Sequence, residues 1–225
     1  MIHCVTYNNL DKYAKLFQSQ FRLRHEAFIE RQGYEVKTYE GMEYDQYDTP
    51  ATVYLIYADD DEEEALGISR FMPTEQGCML ADLWPDLVKD KSVLGAKNIW
   101  ESTRFAIKRD LPPQVRRKIC YELCSAHIEF GLENEIEMII GLMPTLILRS
   151  VYERSGVTLK RLGDEYEIGK HSRVQAAGIP INFEQVVSVW NKTGVSNTLL
   201  GSKYIFDFTG QENQLQLSKE LRNAA

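Results

Sequence analysis

Residues 98–107 read Asn98-Ile99-Trp100-Glu101-Ser102-Thr103-Arg104-Phe105-Ala106-Ile107, an apolar run with a carboxylate and a guanidinium at its centre. Its β-branched and aromatic residues predict a buried strand, where unpaired charges are costly. Glu101 and Arg104 are three positions apart, so a regular strand sends them to opposite faces. Both reach one cleft only if the strand bulges, a distortion common beside active sites. At this point a buried ion pair and a reactive cleft explain the two charges equally well.

The composition is that of an ordinary soluble globular protein. A chain of 225 residues can bury roughly 70% of its unfolded surface in one domain, and two domains are also possible. With 44% hydrophobic and 26% charged residues, it has no apolar run as long as a membrane span. The first residues lack the basic-then-apolar pattern of a signal peptide, so a cytoplasmic location is expected. The net charge of −7 argues against a general nucleic-acid binder, and no membrane partner is expected.

The cysteines have no close-paired motif. Cys4, Cys78, Cys120 and Cys124 suit reduced thiols in a cytosolic protein. Cys120, Cys124 and His127 share one helix face and form an alternative set of metal ligands. A free cysteine on an apolar helix face is usually a small buried group, so we expect no metal.

Hydrophobic periodicity predicts strands and helices in mixed order. The predicted strands are 2–7, 52–57, 65–71, 98–107, 136–142, 158–162 and 204–208, and the predicted helices are 10–30, 114–129, 146–155 and 183–190. We expect Gly131 and Gly156 to end two of the helices and Asn182 to cap another. The last ten or so residues are expected to fray. Hairpins and helix-connected strands occur together, which predicts an α/β (α+β) layer structure with a mixed sheet.

The N-terminal part combines cation donors, rings and acids. Arg24 and Phe28 are i, i+4 neighbours on the first helix, so a guanidinium and an aromatic face point the same way. Glu43, Asp45 and Asp48 lie among tyrosines in the loop before the second strand. They suit an acidic, aromatic rim for a cationic small molecule, and a solvated turn explains them equally well.

Several short motifs follow one another in a fixed order over the first half of the chain. They are Arg24-x-x-x-Phe28, Tyr34, Asp45-x-x-Asp48, Gly67-x-x-Arg70, Pro73-Thr74, Met79-Leu80 and Trp100-Glu101-x-x-Arg104-Phe105. Each is weak alone, but the joint order and spacing is specific. It resembles the LuxI-type acyl-homoserine-lactone synthases over roughly residues 20–107, with weaker agreement through Arg154-x-Gly156. The departures are Tyr34, where the family usually has Trp, and Trp84, where it usually has Phe.

The resemblance implies a fold similar to that of the GNAT acyltransferases. In that fold, helices flank a mixed central β-sheet whose central strands splay apart to admit the acyl donor. It also implies one autoinducer-synthase domain over residues 1–225. Within it, 1–50 would hold the S-adenosylmethionine-binding helices and loop, 51–175 the sheet core with the acyl pocket, and 176–225 a C-terminal extension.

The resemblance further implies synthesis of a quorum-sensing signal. The α-amine of S-adenosylmethionine attacks an acyl thioester, and the acylated methionine then lactonises and expels methylthioadenosine. S-adenosylmethionine is thus a substrate, and no cofactor is expected. A cation that carries a carboxylate needs a guanidinium and aromatic or acidic groups around it. On the resemblance, the residues that bind S-adenosylmethionine or fix the loop around it are Arg24, Phe28, Tyr34, Asp45, Asp48 and Arg70.

The resemblance assigns the chemistry to the 98–107 strand. Glu101 is expected to take the proton from the attacking amine, directly or through water, and Arg104 to set the electrostatics of the same site. The acyl pocket is expected to be an apolar tube lined by Trp84, Trp100, Thr103, Phe105, Gly141, Met143 and Thr145. Gly141 and the flexible Met143 leave room for a chain of medium length. With no hydroxyl at 141–143, we expect an unsubstituted or 3-hydroxy chain.

The acyl donor is either acyl-carrier protein or acyl-CoA. Residues 97–118 hold seven basic side chains against two acidic ones, which slightly favours the acidic carrier protein. The start of the motif region, Phe21-Arg22-Leu23-Arg24-His25, is similar to that of members that use acyl-CoA.

Two other classes of protein fit parts of the pattern. An ordinary GNAT-type N-acyltransferase that uses acyl-CoA on another amine needs a glycine-rich turn into a helix to bind pyrophosphate. Pro112-Pro113 stands where that turn belongs. A non-catalytic S-adenosylmethionine sensor would use the same aromatic and acidic loop, and it differs by releasing no methylthioadenosine.

Overall fold

The computed structural model describes residues 1–168, 172–208 and 216–217. Its strands are β1 (Ile2–Val5), β2 (Thr38–Tyr39), β3 (Met42–Glu43), β4 (Val53–Ala58), β5 (Ala65–Pro73), β6 (Ile99–Ile107), β7 (Met138–Pro144), β8 (Lys160–Arg161), β9 (Tyr166–Ile168), β10 (Ser172–Pro180), β11 (Phe206–Asp207) and β12 (Gln216–Leu217). Its helices are α1 (Ala14–Arg24), α2 (Met79–Leu83), α3 (Pro113–Glu133), α4 (Thr145–Ile147) and α5 (Phe183–Thr193). Two π-helical turns, His25–Glu30 and Leu148–Tyr152, continue α1 and α4, and 3-10 turns occupy Tyr7–Asn9, Thr74–Gln76, Pro85–Leu87, Lys91–Val93 and Glu153–Ser155.

The main sheet is mixed, as predicted. Within the described residues its order is β1-β4-β5-β6-β7-β10-β8, with β9 also paired to β10. The β6–β7 pair is parallel and the other pairs are antiparallel. A parallel pair needs a long crossover, and α3 supplies it. The strand β10 was not predicted, because several of its residues are small and its apolar and polar residues do not alternate clearly.

Helices cover both faces of the sheet. On one, here called the α3 face, Leu55 and Phe71 pack against Ile119 and Leu123 of α3. On the other, the α1 face, residues at odd spacings from these on β4 and β5, with one residue of β6, pack against α1. Ile56, Ile68 and Ala106 meet Leu16 and Leu23 there. This period-two alternation separates two apolar cores with the sheet between them.

Several predicted boundaries move in the structure. Gly131 does not end α3, which continues to Glu133. A Cβ there would come within 2.8 Å of the Ile181 side chain, so the glycine allows close packing. Gly156 does end its helical segment, with φ +89°, and the Asn182 side chain caps α5 by accepting a hydrogen bond from the Gln185 N–H at 3.0 Å.

The boundary suggested by the sequence at residue 176 falls inside β10, so the sheet continues to Pro180. The fraying expected at the C-terminus concerns positions 218–225, which lie outside the described residues. No helix within the described ranges has the length and apolar character needed to cross a membrane.

Candidate active site

A β-bulge in β6 brings Arg104 to the same face as Glu101. Arg70 of β5 pairs with Thr103, but Ile68 pairs with Ala106, so Arg104 and the residue after it stand opposite one residue of β5. Arg104 has φ +56°, in the left-handed region that side chains other than glycine rarely adopt. The condition that the sequence set for the two charges to share a cleft is therefore met.

The bulged arginine belongs to a closed ring of six charged side chains on the α1 face, here called the charge ring. Arginines and carboxylates alternate around it. The closest contacts between neighbours are Arg24–Glu43 (2.6 Å), Glu43–Arg104 (2.9 Å), Arg104–Asp45 (2.7 Å), Asp45–Arg70 (2.6 Å), Arg70–Asp48 (3.1 Å) and Asp48–Arg24 (2.7 Å).

The charge ring is buried and balances three positive against three negative charges. The side chains of Arg24, Arg70 and Glu43 have no exposed surface, whereas Arg104 is 11% exposed. Burial alone would raise the pKa of Asp48, but hydrogen bonds from Arg24 and the charges of Arg24 and Arg70 hold it well below its usual range. The ring therefore ties the loop that follows β3 to α1, β5 and β6.

Two aromatic rings lie beside the exposed edge of the charge ring. Phe28 and Tyr34 stack with centroids 6.0 Å apart, and the Arg104 guanidinium lies 5.5 Å from the Phe28 centroid. Phe28 is nearly buried, but Tyr34 is 46% exposed. The predicted S-adenosylmethionine residues thus divide into a surface group, Phe28 and Tyr34, and the ring members. Arg24 is one of the ring members and is enclosed by its carboxylate partners.

Glu101 lies on the same face and is almost completely buried. Its two carboxylate oxygens accept hydrogen bonds from the Met79 and Leu80 N–H groups at the start of α2, each at 2.8 Å. Burial raises the pKa of Glu101 to about 7, although those two N–H groups and Arg70 favour the charged form. The Met79 sulfur also contacts Arg104 at 3.6 Å, so both residues meet at the same helix start.

The parallel strands β6 and β7 part directly after Glu101. Their described pairing covers only Ile99–Glu101 against Met138–Ile140, although both strands continue. At the next position the backbones are still close, because a Cβ on Gly141 would come within 2.8 Å of the Ser102 carbonyl oxygen. The predicted splay of the central strands is therefore present, and Glu101 is the last residue of β6 that pairs with β7.

A small apolar cavity of about 10 Å³ lies at this split towards the α3 face. It is lined by Ser102, Ile139, Ile140, Gly141, Met143, Leu148, Tyr152, Leu159, Ala177 and Ile179. Of the predicted acyl-pocket residues, Gly141 and Met143 line it, and Phe105 packs on Tyr152 with ring centroids 5.8 Å apart.

The other predicted pocket residues lie elsewhere. Thr103 is on the α1 face, where its hydroxyl accepts a hydrogen bond from Arg70 at 2.9 Å, because the bulge begins after it. Trp84 packs against a separate cluster that includes Ile99, Met138 and Ile140. Trp100 packs edge-to-face on Phe130 of α3, with ring centroids 5.5 Å apart. Thr145 begins α4, beyond the end of β7.

The sequence reasoning left three residues out of its site. Glu43 links two arginines of the charge ring, and its place in an acidic loop gave no sign that it alone would be fully buried. Ser102 and Tyr152 line the cavity, but one lies between two charged positions and the other in a stretch predicted only as helix.

His127 faces serines and not thiols. Its Nε2 lies 3.2 Å from the Ser69 hydroxyl and 3.1 Å from that of Ser102, and its Nδ1 contacts the Leu123 carbonyl at 2.6 Å. Because only a protonated Nδ1 can donate to that carbonyl, Nε2 is the acceptor. Burial lowers the pKa of His127 to about 4. Among the described residues, no group of three or more His, Cys, Asp or Glu side chains is placed to hold a metal ion.

Known proteins of one family resemble this chain in sequence. A sequence profile described as autoinducer synthase matches residues 8–189. An acyl-homoserine-lactone synthase of Pseudomonas aeruginosa is 28% identical over 187 residues, covering 82% of this chain and 92% of that protein. An isovaleryl-homoserine lactone synthase of Bradyrhizobium diazoefficiens is 30% identical over 166 residues, or 72% of each chain.

Solved structures give the same result. The CoA-dependent acyl-homoserine lactone synthase BjaI, solved with SAM and isopentyl-CoA, superposes with a TM-score of 0.76 at 27% identity, covering 88% of this chain and 92% of that one. The AHL synthase LasI gives a TM-score of 0.70 at 26% identity, covering 79% and 89%. The matched profile spans most of the described sheet and both sides of the β6–β7 split. The chain belongs to the autoinducer synthase family.

Proposed function

We propose that this acyl-homoserine-lactone synthase joins its two substrates at the β6–β7 split. The observation that carries the proposal is that the split separates two unlike environments. On the α1 face stand the charge ring and two stacked rings, and towards the α3 face stands an apolar cavity. S-adenosylmethionine suits the first environment and a fatty acyl chain the second, so the amine and the thioester meet beside Glu101.

On the α1 face, the surface group provides direct contacts with S-adenosylmethionine. The rings of Phe28 and Tyr34 suit the adenine and the sulfonium cation, since a cation over an aromatic face gains about 0.5–2 kcal/mol. Arg104 is the partly exposed arginine of the charge ring and suits the substrate carboxylate. Arg24, Asp45, Asp48 and Arg70 act indirectly by holding Arg104 and the N-terminal loop in place.

Glu101 is the better of two candidate bases. An amine must lose a proton to attack, and a base works best with a pKa near the operating pH. Burial raises the pKa of Glu101 to about 7, whereas it lowers that of His127 to about 4. Each Glu101 oxygen already accepts one N–H but keeps a second lone pair, so a bridging water can pass the proton to it.

The reaction balances without a further reagent, so no cofactor is proposed. The amine nitrogen bonds to the thioester carbonyl carbon, the carbon–sulfur bond breaks, and the amine proton leaves with the released thiol. A carboxylate oxygen of the acylated substrate then attacks the carbon next to the sulfonium and expels methylthioadenosine. Backbone N–H groups on the parted strands suit the thioester oxyanion, and holding the two groups together supplies much of the rate.

The acyl donor is carried by an anionic group, either the phosphates of coenzyme A or acidic acyl-carrier protein, in a cytoplasmic reaction. Exposed Arg109, Arg116, Arg117 and Lys118 give a local positive surface around the start of α3 on an acidic protein, whereas exposed Lys97 lies at the opposite end of β6. The cavity of about 10 Å³ has room for no more than about one water molecule, so an acyl chain must push the lining side chains apart to enter. Among the relatives, one is an isovaleryl-homoserine lactone synthase, and BjaI was solved with isopentyl-CoA.

The rival acyltransferase is less well supported. Pro112 and Pro113 stand at the start of α3, and neither has an N–H to donate to a pyrophosphate at that helix end. This observation favours the synthase over a GNAT enzyme that binds acetyl-CoA in the usual way.

The test is to incubate purified protein with S-adenosylmethionine and acyl thioesters of both carriers, and to follow methylthioadenosine and N-acyl homoserine lactone by mass spectrometry. Both products should form in equal amounts, and Glu101→Gln should reduce turnover about a hundredfold or more. Tight binding of S-adenosylmethionine without methylthioadenosine would indicate a sensor, and acylation of another amine would indicate the rival transferase. Comparison of the two carriers across salt concentrations identifies the donor.

A further inference from the structure

Tyr152 places an unpaired hydroxyl at the wall of the apolar cavity. Its side chain has no exposed surface, and its oxygen has no hydrogen-bond partner among the described residues. The ring is held on two sides, by Phe105 at 5.8 Å and His127 at 5.7 Å between centroids. A buried hydroxyl without a partner is rare and costs free energy, so it indicates a ligand that supplies the partner.

The neighbouring polar groups in the cavity already use their protons. Ser69 and Ser102 lie 2.9 Å apart, and both lie within 3.2 Å of the His127 Nε2 acceptor. Each serine has one proton to donate. One serine donates to the His127 Nε2, and the other donates to the first serine. What Ser102 still offers the cavity is a lone pair, whereas Tyr152 offers a proton. Burial, followed by the nearby thiols of Cys124 and Cys120, raises the pKa of Tyr152 well above its ordinary value, although the neighbouring Ser102 side chain acts in the opposite direction, so Tyr152 remains a donor.

The position of these groups relates them to one part of the acyl chain. Ser102 directly follows Glu101, and Gly141 opposite it marks the point where β6 and β7 part. The thioester carbonyl must stand at this point to meet the amine. The Tyr152 hydroxyl and the Ser102 lone pair therefore face the first carbons of the chain, and the rest of the cavity is apolar.

We propose that Tyr152 donates a hydrogen bond to an oxygen on carbon 3 of the acyl chain, so that this enzyme selects 3-oxygenated acyl donors. The inference rests on the proposed function and adds the substrate class. A 3-hydroxyl group satisfies both neighbours, because it accepts from Tyr152 and can donate to Ser102. A 3-oxo group accepts from Tyr152 alone, and an unsubstituted chain leaves the tyrosine proton unpaired.

The size of the preference follows from the unpaired proton. Leaving a buried donor unsatisfied corresponds to roughly a 5- to 100-fold loss in kcat/KM for the unsubstituted donor. Phenylalanine at position 152 has no proton to satisfy, so Tyr152→Phe should remove the penalty while the ring still fills its place.

The experiment supplies hexanoyl, 3-hydroxyhexanoyl and 3-oxohexanoyl thioesters on whichever carrier the enzyme accepts. The ratio of kcat/KM for oxygenated over unsubstituted donors is measured for wild type, Tyr152→Phe and Tyr166→Phe. Tyr166 is exposed and serves as the matched control. We expect the ratio to favour oxygenated donors in wild type and the control, and to fall at least fivefold in Tyr152→Phe, mainly because the unsubstituted donor improves.

Equal ratios in wild type and Tyr152→Phe would overturn the proposal. If that variant does not fold, wild type alone decides: with an equimolar mixture of the three donors, products without oxygen on carbon 3 in equal or greater yield would also overturn it. Absence of lactone and methylthioadenosine from every donor would instead refute the proposed function itself.

Discussion

Replacing Asp48 by Asn tests whether the charge ring holds the N-terminal loop. Asp48 accepts hydrogen bonds from both terminal nitrogens of Arg24, at 2.7 and 2.9 Å, and from the Tyr54 hydroxyl at 2.8 Å. It also lies 3.1 Å from Arg70. The substitution keeps the shape of the side chain but leaves the buried charge ring with one uncompensated positive charge, although Arg24 still contacts Glu43 and Arg70 still contacts Asp45. Breaking a buried pair in this way costs about 3–5 kcal/mol of unfolding free energy.

The expected change in melting temperature is large. In a protein of this size each kcal/mol lowers Tm by roughly 2–4 °C, so Asp48→Asn should lower it by at least about 6 °C. The matched control is Asp164→Asn, because Asp164 pairs with Lys89 at 2.7 Å but the two side chains are 83% and 69% exposed. Exposed pairs contribute about 0–1 kcal/mol, so the control should shift Tm by a few degrees at most.

The pH dependence provides an independent check. The folded pKa of Asp48 lies below its unfolded value, so its contribution to stability is fully present above about pH 4 and is lost as the pH falls through the folded pKa. Denaturant unfolding at a series of pH values should therefore show the gap between wild type and Asp48→Asn narrowing below about pH 4. Equal Tm losses in Asp48→Asn and the control would show that the charge ring does not stabilise the fold through its ion pairs. A stability difference between wild type and Asp48→Asn that does not change with pH would show the same.

Three further predictions concern catalysis. Glu101 must be ionised to act as the base, and its pKa is raised to about 7, so kcat/KM of wild type should rise with pH through about 7. The small residual rate of Glu101→Gln should lack this rise. A rise that persists in the variant would assign the titration to another group. Gly141→Ala would place a Cβ within 2.8 Å of the Ser102 carbonyl oxygen, so kcat/KM for the acyl thioester should fall at least tenfold while the Kd of S-adenosylmethionine, measured by calorimetry, stays within about twofold. Tyr34→Leu removes a ring stacked on Phe28 and should weaken S-adenosylmethionine binding about three- to tenfold. Tm should change little, since Tyr34 is half exposed. A lower Tm with an unchanged Kd would show that the ring has a structural role.

The sequence predicted a mixed sheet and a charged central strand at β6, but it did not predict β10. The need for a bulge could be stated in advance, because Glu101 and Arg104 cannot share a face of a regular strand. The location of the bulge could not be derived, since it also depends on how β5 pairs with β6. For that reason Thr103 was expected in the acyl pocket, although the structure places it beside Arg70.

The burial of charged side chains was a second feature that could not be predicted from the sequence. The sequence placed Glu43 with Asp45 and Asp48 in an acidic rim or a solvated turn, and only the approach of Arg24 and Arg104 from distant segments shows that Glu43 is a fully buried member of the charge ring. Tyr152 was hidden for a related reason. A tyrosine in a helix is ordinarily read as packing, and its missing hydrogen-bond partner is a property of the folded environment.

The alternation around the charge ring limits how this part of the protein can diverge. The charge ring has six members of alternating charge, so it cannot lose one member and stay neutral. Tolerated substitutions should therefore replace one arginine and one acidic residue together. Exchanging neighbours such as Arg24 and Asp48 together for apolar residues of similar volume should be milder than removing either one, because no lone ion remains inside. In sequences related to this one, substitutions at these positions should therefore be coupled two at a time.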